Sequence, residues 1–543
     1  MRILTRSEAA AAAGAPAEQP QMSIRRAGYA TAQFCAAHFK FASVCMVCGT
    51  GRKGGAGLVA AEALGRLAQS VAVIILAAGP DELAPDIAAC LPTSIRPIWI
   101  ADAADMDSEL ARQALAADLV VDAIIGTGFK PPLRPLAAKA IAAINDAAGT
   151  VVSVDIPSGV DSDRRTAVEA GSACMVFAHA IVALIAPKPA HVFAELCSGP
   201  IAVSEIGVQP ALTGHATGLA VTTGQEVSIA FPRRRRDAGK EHFGRVLVVA
   251  GSRGEAGAAA LAGLAAMSAG AGHVTVACPE SIASTVAGLG AVLSTHGLPE
   301  SAAGTVATTA SSHIGELIAD QDAVVVGPGL SRNAETAAFI RRLARVCTVP
   351  LILDTDGLSA FAGHLHDLRR GDGAPRFRVL TLPAAEAQRL MGGTGGVAGI
   401  DRPALARRVA DETGACAVLT GWRTVIAGAS GETWINMTGG PALAKAGAGS
   451  ILCGMLGAAL ARQADEPGET AGAAQPLGPP LHQTLGRDVG VAAAVYLHGF
   501  AGDIARDALH ENAVLATDLL EALPEAFRDC DRQAERGLFY LHK

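Results

Sequence analysis

Large rings are scarce in this chain: 14 Phe, 3 Trp and 3 Tyr are spread over 543 residues, an aromatic content of 4%. Half of the residues are nevertheless hydrophobic, so any core must be built mostly from Ala, Val and Leu, and that apolar content excludes disorder as the global state. Excess positive charge is also lacking. A formal net charge of −7 and a pI near 6.1 leave no electrostatic footprint for nucleic acid, which needs clustered cations to neutralise phosphates. The one basic run, Arg233 to Arg236, reads as a solvated linker, and 8 Lys against 36 Arg reads as compositional bias rather than a binding device. No run has the large apolar side chains of a membrane span. The longest, at 256–272, is mostly Ala and Gly and predicts a buried helix. The first twenty residues lack an apolar h-region, so no signal peptide is expected. Eleven cysteines, an odd number placed mostly in apolar segments, fit reduced thiols in a cytoplasmic compartment rather than a disulfide framework. Cys45 and Cys48 have CxxC spacing but sit in an extended run, where alternation does not bring both sulfurs to a helix N-terminus.

What is present is a repeating pattern. Short Val/Ile/Leu runs bounded by Gly, Pro and Asp alternate with Ala-rich helical stretches at 71–76, 119–125, 151–156 and 180–185. Such a pattern predicts a parallel sheet covered by helices on both faces. It lapses between about 210 and 239 and resumes at 246–250, 274–277, 323–326, 351–354, 379–382 and 417–419. The expected organisation is α/β throughout: a first domain over 1–212, a linker over 213–238 and a second domain over 239–530. A surface insertion rich in Pro, Gly, Glu and Ala is expected at 463–487.

Ligands in open α/β sheets sit beyond the carboxyl ends of strands, so the loops there are the places to look. The first, CGTGRKGGAG at 48–57, offers backbone freedom and N–H groups for a phosphate ahead of a helix expected to start near Leu58, or a tight structural turn. The second, VVDAIIGTGF at 120–129, places Asp122 inside an apolar strand, where an acid must find a cation or donors. The third, VDIPSG at 154–159, ends a strand on Asp155 and presents Ser158. Asp155 there suits a general base or a hydroxyl acceptor, with a helix cap as the plain alternative.

In this order, and followed by APKPAH at 186–191, these segments resemble the epimerase domain of the bifunctional NAD(P)H-hydrate repair enzymes over roughly residues 1–210. The resemblance implies a Rossmann-like domain that interconverts the R and S forms of hydrated NADH and NADPH, with potassium near the substrate. It would make Asp155 the acid/base residue and Asp122 and Ser158 potassium ligands. The substrate would lie along Arg52, Lys53, Gly54, Gly55 and Ala56 and along Gly126, Thr127, Gly128, Phe129 and Lys130. One loop departs from the family's GNNGGDG: Arg52 and Lys53 stand for the two Asn, and Ala56 for the Asp. Either the Lys53 ammonium occupies the place of the metal ion, or the site no longer organises its substrate. The first has a physical motive, since Asp122 would otherwise lose its counter-ion.

The second half shows KEHFGRVLVVAGSRG at 240–254, VVVGPGLS at 324–331, LILDTDGL at 351–358, LTLPAAE at 380–386, VLTGWRTVIAG at 418–428, GGPALAKAGAGSILCG at 439–454 and VYLHGFAGD at 495–503. This series resembles the dehydratase domain of the same family, which implies a ribokinase-like fold that uses ADP or ATP to phosphorylate the hydroxyl of the S hydrate. Loss of phosphate then restores the nicotinamide. The resemblance would place substrate at Ser331 and Pro383, nucleotide at Thr420, Gly421, Trp422, Arg423 and Thr424, and the anion hole at Ala448 and Gly449. The family's Gly-Asp becomes Gly449-Ser450, its TPHPGE becomes a segment with Pro383 at the His position, and the Lys of its LKG becomes Thr420. A serine hydroxyl cannot take up a proton at neutral pH as a carboxylate does, so dehydration is expected to be impaired. Asp354 and Asp356 could hold a Mg²⁺ water shell, or Asp356 could cap a helix. Trp422 could pack on adenine or support a strand. His498 and Asp503 read as structural. A homo-oligomer with no nucleic-acid or membrane partner is expected, and the alternative function is a catalytically degenerate nucleotide-binding or regulatory protein. A kinase of a vitamin or sugar hydroxyl is disfavoured by the same missing base.

Overall fold

The computed structural model describes residues 1–13, 20–165, 175–207, 218–369, 377–393, 400–462, 486–536 and 538–542. The chain divides into two compact units, Met1–Val221 with Arg536–Lys543, and Thr222–Glu535. In the first unit β1 (Ser43–Cys48), β2 (Ser70–Ile75), β3 (Ile98–Trp99), β4 (Leu119–Ala123), β5 (Thr150–Val154), β6 (Ala180–Leu184) and β7 (Ile201–Ser204) are all parallel. They lie in the order β7-β6-β5-β4-β1-β2-β3. The chain runs outward from β1 to β3, then restarts on the other side of β1 with β4, so the topological switch falls between β1 and β4.

Alternation along β1 feeds two cores. Val44, Met46 and Cys48 join the one on one face, and Cys45 and Val47 the one on the other. The sulfurs of the CxxC pair therefore point apart. Burial pushes the Cys45 thiol up to about 12 and Cys48 upward as well, which removes the thiolate that redox or metal chemistry needs.

Only residues 49–51 of the glycine-rich stretch after β1 form a loop. Its helix spans Arg52–Leu64 instead of starting near Leu58, because glycine lets the first turn press against the end of the strand. A Cβ on Gly54 would stand 1.8 Å from the Gly49 carbonyl oxygen. The chain's last strand, Leu538–His542, adds antiparallel to β7. It is pinned by the Tyr540 hydroxyl, which donates to His38 Nε2 at 2.7 Å, while His38 Nδ1 donates to the Phe34 carbonyl.

The expected linker at 213–238 is folded over its described part. It holds β8 (Leu219–Val221), where Ala220 bridges Arg2, and a helix, Gly224–Ala230, opened by a capping box of Thr223 and Glu226. Polar capping residues and a short three-residue strand carry no apolar periodicity, which is why the sequence pattern lapsed there. The second domain also does not end at 530. The helix Ala516–Arg536 passes that point, and the strand after it belongs to the first unit. The insertion expected at 463–487 lies almost wholly outside the described residues.

In the second unit β9 (Arg245–Val249), β10 (His273–Pro279), β11 (Ser294–Leu298), β12 (Ala323–Val326), β13 (Leu351–Leu353), β14 (Arg378–Pro383) and β15 (Cys416–Thr420) are parallel. An antiparallel extension, β16 (Val425–Ala427) and β17 (Thr433–Ile435), follows β15. The order is β11-β10-β9-β12-β13-β14-β15-β16-β17. The apolar run at 256–272 is the helix Ala256–Ser268, and it packs on the buried helix Ala448–Ala461. A Cβ on Gly454 would lie 2.0 Å from the Ala262 carbonyl oxygen. Small residues on both helices thus allow backbone-to-backbone approach, and the core needs few large rings to fill it.

The Gly54 contact predicts that Gly54→Ala destabilises the first unit by about 2 kcal/mol or more, since backbone has to move to admit the methyl group. Urea unfolding followed against a Gly51→Ala control, where a Cβ meets nothing, measures the difference.

Candidate functional site

Three strand ends meet at the switch point of the first unit. Lys53 extends from the first turn of the helix after β1, Asp122 lies near the end of β4, and Asp155 to Ser158 follow β5. The Lys53 side chain is 5% exposed and that of Asp122 is fully buried, with Nζ 3.0 Å from Oδ2. Nζ is also 3.2 Å from the Ile125 carbonyl, 2.7 Å from the Ile156 carbonyl and 3.1 Å from Ser158 Oγ. Burial pulls the Lys53 ammonium below its ordinary value, and the Asp122 carboxylate opposes that pull. The carboxylate of Asp122 is itself saturated. Besides Lys53 it accepts from Ser153 Oγ at 2.9 Å, Ser158 N–H at 2.9 Å, Ser158 Oγ at 2.5 Å and Ile124 N–H at 3.1 Å. Potassium does not fit among these oxygens, because the ammonium stands where an ion would have to bind.

Asp155 forms a second cluster. It is a non-glycine residue with φ of 63°, a strain of about 1–3 kcal/mol that persists only where neighbours over-determine it. They do so here. Oδ1 accepts from Lys188 Nζ at 2.5 Å and from Leu184 N–H at 3.1 Å. Its own carbonyl bonds His191 Nε2 at 2.8 Å. His191 Nδ1 accepts from Lys188 N–H, so the ring carries its proton on Nε2 and donates it. Burial raises the Asp155 carboxyl, but the Lys188 ammonium outweighs that and holds it below its usual range. Burial and Lys188 together bring His191 down to about 4. No described residue donates to Asp155 Oδ2.

The other residues expected along the substrate divide. Gly54, Gly55 and Ala56 are buried, with Gly55 facing Ile24 and Ile87, so they shape the helix start rather than offer side chains to a ligand. Arg52, Gly128 and Lys130 are exposed, Gly126 and Thr127 half-buried and Phe129 buried. Lys188 and His191 were missed as site residues although APKPAH was noted. The signal was a lysine set between two prolines directly after an apolar strand.

The second unit has a cleft of about 670 Å³ beyond the carboxyl ends of β13, β14 and β15, within the size range of small-molecule sites. Asp354 follows β13, and Pro383 and Thr420 are register partners on β14 and β15. All three line the cleft with Gly421, Trp422, Thr424, Ala448, Gly449 and Ser450. The helix Ala448–Ala461 is capped by Gly447 at φ 91°, and its Gly449 and Ser450 N–H groups find no acceptor among the described residues. Trp422 is 61% exposed, so it does not support a strand. Arg423 lies over its ring at 4.6 Å and does not line the cleft. Nor does Ser331, whose hydroxyl accepts from Asn333 N–H. Asp354 takes a hydrogen bond from Thr381 at 3.0 Å, and burial pushes its carboxyl up. Asp356 sits 3.9 Å from Arg332, away from the cleft lining.

His498, expected as structural, faces the cleft. Its Nε2 bonds the Ala448 carbonyl at 2.9 Å, and burial brings it down to about 4. Asp503 lies behind the cleft, holding Gly439 N–H and Arg506, and burial raises it to about 6. Asn436 and Thr438, outside every quoted segment, and Lys445, inside the segment at 439–454 but not singled out there, also line the cleft.

Two units, each with a polar cluster or cleft at the carboxyl edge of a parallel sheet, define an α/β protein with two separate small-molecule sites. Residues 246–525 match the family described as NAD(P)H-hydrate dehydratase, and residues 21–190 that described as YjeF-related protein N-terminus. The chain is 36% identical over 499 residues to the bifunctional NAD(P)H-hydrate repair enzyme Nnr of Moorella thermoacetica, covering 91% of this chain and 88% of that one. To its counterpart in Thermofilum pendens it is 34% identical, covering 90% and 87%. Among solved structures, the ADP/ATP-dependent NAD(P)H-hydrate dehydratase from Bacillus subtilis, co-crystallised with ATP and Mg²⁺, aligns with 58% of this chain and all of its own at 25% identity and a TM-score of 0.46. The chain belongs to the bifunctional NAD(P)H-hydrate repair family, with a Rossmann-like first unit and a ribokinase-like second.

The two neutral buried histidines set a pH dependence. With folded values of about 4 against an ordinary 6.5, the unfolded chain binds more protons between those limits. Their stabilisation is therefore complete above pH 6.5 and lost as pH falls toward 4, by about 1.4 kcal/mol per pH unit for each histidine. Urea midpoints across this range should flatten by one such slope in His191→Gln and by one in His498→Gln.

Proposed function

We propose that the first unit epimerises hydrated NADH and NADPH with Asp155 as the acid/base residue, and that the second dehydrates the S form with ADP or ATP as phosphoryl donor at a reduced rate. Epimerisation needs one group that takes and returns a proton beside a positioned substrate. Lys188 keeps Asp155 ionised through Oδ1, which leaves Oδ2 to act, and Lys53 ties the turn after Asp155 to the loop that would carry the substrate, through the Ile156 and Ile125 carbonyls.

The observation that carries the second half is the convergence in one cleft of Thr420 to Trp422 with the free N–H groups of Gly449 and Ser450. A nucleotide base would stack on Trp422 and its phosphates would meet the helix N-terminus, where backbone donors and the dipole favour negative charge. Mg²⁺ would ride on those phosphates and meet the Asp354 carboxylate, where it would offset charge on the transferred phosphoryl. What this cleft lacks at position 450 is a base. Ser450 can donate a hydrogen bond, but it cannot hold the proton of the attacking hydroxyl, so the second site binds its ligands better than it turns them over. Ten described cysteines are free and nine of them buried, which supports a reducing, cytoplasmic setting. Among the described residues no helix is long and apolar enough to cross a membrane.

Assays with hydrated NADH test both halves. Asp155→Asn should lower epimerisation by about 10²–10⁴ while leaving ADP-dependent dehydration intact. Ser450→Asp should raise the ADP-dependent dehydration rate by a similar factor. Wild-type dehydration already equal to that of Ser450→Asp would remove the claim of impairment, and epimerisation indifferent to Asp155→Asn would remove the assignment of that residue.

A further inference from the structure

We propose that the first unit carries its monovalent cation as part of the chain: the Lys53 ammonium fills an oxygen cage formed by Asp122, Ile125, Ile156 and Ser158, and the site neither binds nor requires potassium.

The cage has the composition expected for a bare monovalent cation. Two backbone carbonyls, one carboxylate oxygen and one hydroxyl oxygen surround Nζ at 2.7–3.2 Å, as carbonyl and carboxylate oxygens replace the water shell of a dehydrated ion. Three of the four, the Ile125 and Ile156 carbonyls and Asp122 Oδ2, can only accept. A neutral amine has two N–H donors and would turn its lone pair toward one of these oxygens, so the group that satisfies them is the full ammonium with three. The fourth oxygen also presents a lone pair, because Ser158 Oγ gives its hydrogen to Asp122 Oδ1 at 2.5 Å. A second cation has no place beside it. It would share the same oxygens and repel Nζ at close range in a buried region, where like charges are poorly screened.

The chain delivers the ammonium by the helix start described above. Because the helix begins at Arg52, Lys53 is its second residue and leaves the turn buried rather than solvated. Its Cβ and Cδ lie 3.5 and 3.7 Å from where a Cβ on Gly126 would be. The two carbonyls it holds belong to Ile125, next to Gly126, and Ile156, next to Asp155. The tethered cation thus fixes the substrate loop and the acid/base residue together, the task a bound ion would otherwise perform. This role in catalysis rests on the epimerase reading, whereas the occupancy of the cage does not.

The test exchanges the tether for a free ion. Wild-type protein, and variants Lys53→Ala, which empties the cage, and Lys53→Met, which fills it without charge, are compared in potassium, ammonium and tetramethylammonium chloride at equal ionic strength. Melting temperature is the first readout and epimerisation rate the second. Wild type is expected to melt at the same temperature and react within about twofold in all three salts. Lys53→Ala should melt lower in tetramethylammonium and be raised in a saturable manner by potassium and ammonium, as a ligand that binds only the folded state does, with its rate recovering in parallel. Lys53→Met should respond to none of them. A saturable rise of wild-type melting temperature or rate with potassium would overturn the proposal, as would a Lys53→Ala protein indifferent to every cation. If Lys53→Ala folds only when potassium or ammonium is present, that too supports the cage. If neither variant folds in any salt, the wild-type comparison decides. A melting response without any epimerisation would leave the cage standing and remove the epimerase reading.

Discussion

The carboxylate of Asp122 is the constraint on which the first site depends. It is fully buried and takes hydrogen bonds from Lys53, Ile124, Ser153 and Ser158, so it ties the helix after β1 to β4, β5 and the turn beyond β5. A charge this deep is tolerable only when paired and fully hydrogen-bonded. Removing one partner of such a pair typically costs about 3–5 kcal/mol. The geometry of the whole carboxyl edge is therefore fixed by electrostatics as much as by packing. Asp155 sits immediately after β5 in a left-handed conformation that Lys188 and His191 hold in place, and it inherits its position from this fixed edge.

The second site is built on the opposite plan. Its ionisable lining is thin, with Asp354, Lys445 and His498 around glycines, threonines and small apolar residues, and its polarity comes from backbone N–H groups at a helix start. Such a surface suits an anionic ligand that brings its own charge. It also explains how the cleft can keep its shape with Ser450 in place of an acid: the groups that recognise phosphate belong to the main chain, which side-chain replacement leaves alone.

Much of the fold was legible in the sequence because parallel strands buried on both faces must be runs of Val, Ile and Leu, and ten of these were seen. The short strands β3, β16 and β17 were not, since two or three residues make no pattern. The start of the helix at Arg52 was misread because five glycines in ten residues signal a loop, while their actual use is close packing, as at Gly54. The pairing of Lys53 with Asp122 could be anticipated from charge alone, an acid in an apolar strand needing a cation. Lys188 and His191 left only a lysine set between two prolines after a strand, because their meaning lies in a contact with Asp155 across more than thirty residues. His498 looked structural for a similar reason, since nothing in a helical stretch tells which side of it borders a cleft.

The return of the last strand to β7 bears on how the protein is made. The first seven strands of the first unit's sheet precede the second unit in the chain, yet Leu538–His542 follows it. Throughout synthesis of the second unit, β7 has an unpaired edge, the kind of surface that recruits other strands. The nascent chain thus carries an open sheet edge until the second unit has been made, and a fragment cut at the unit boundary near Val221 would carry it permanently.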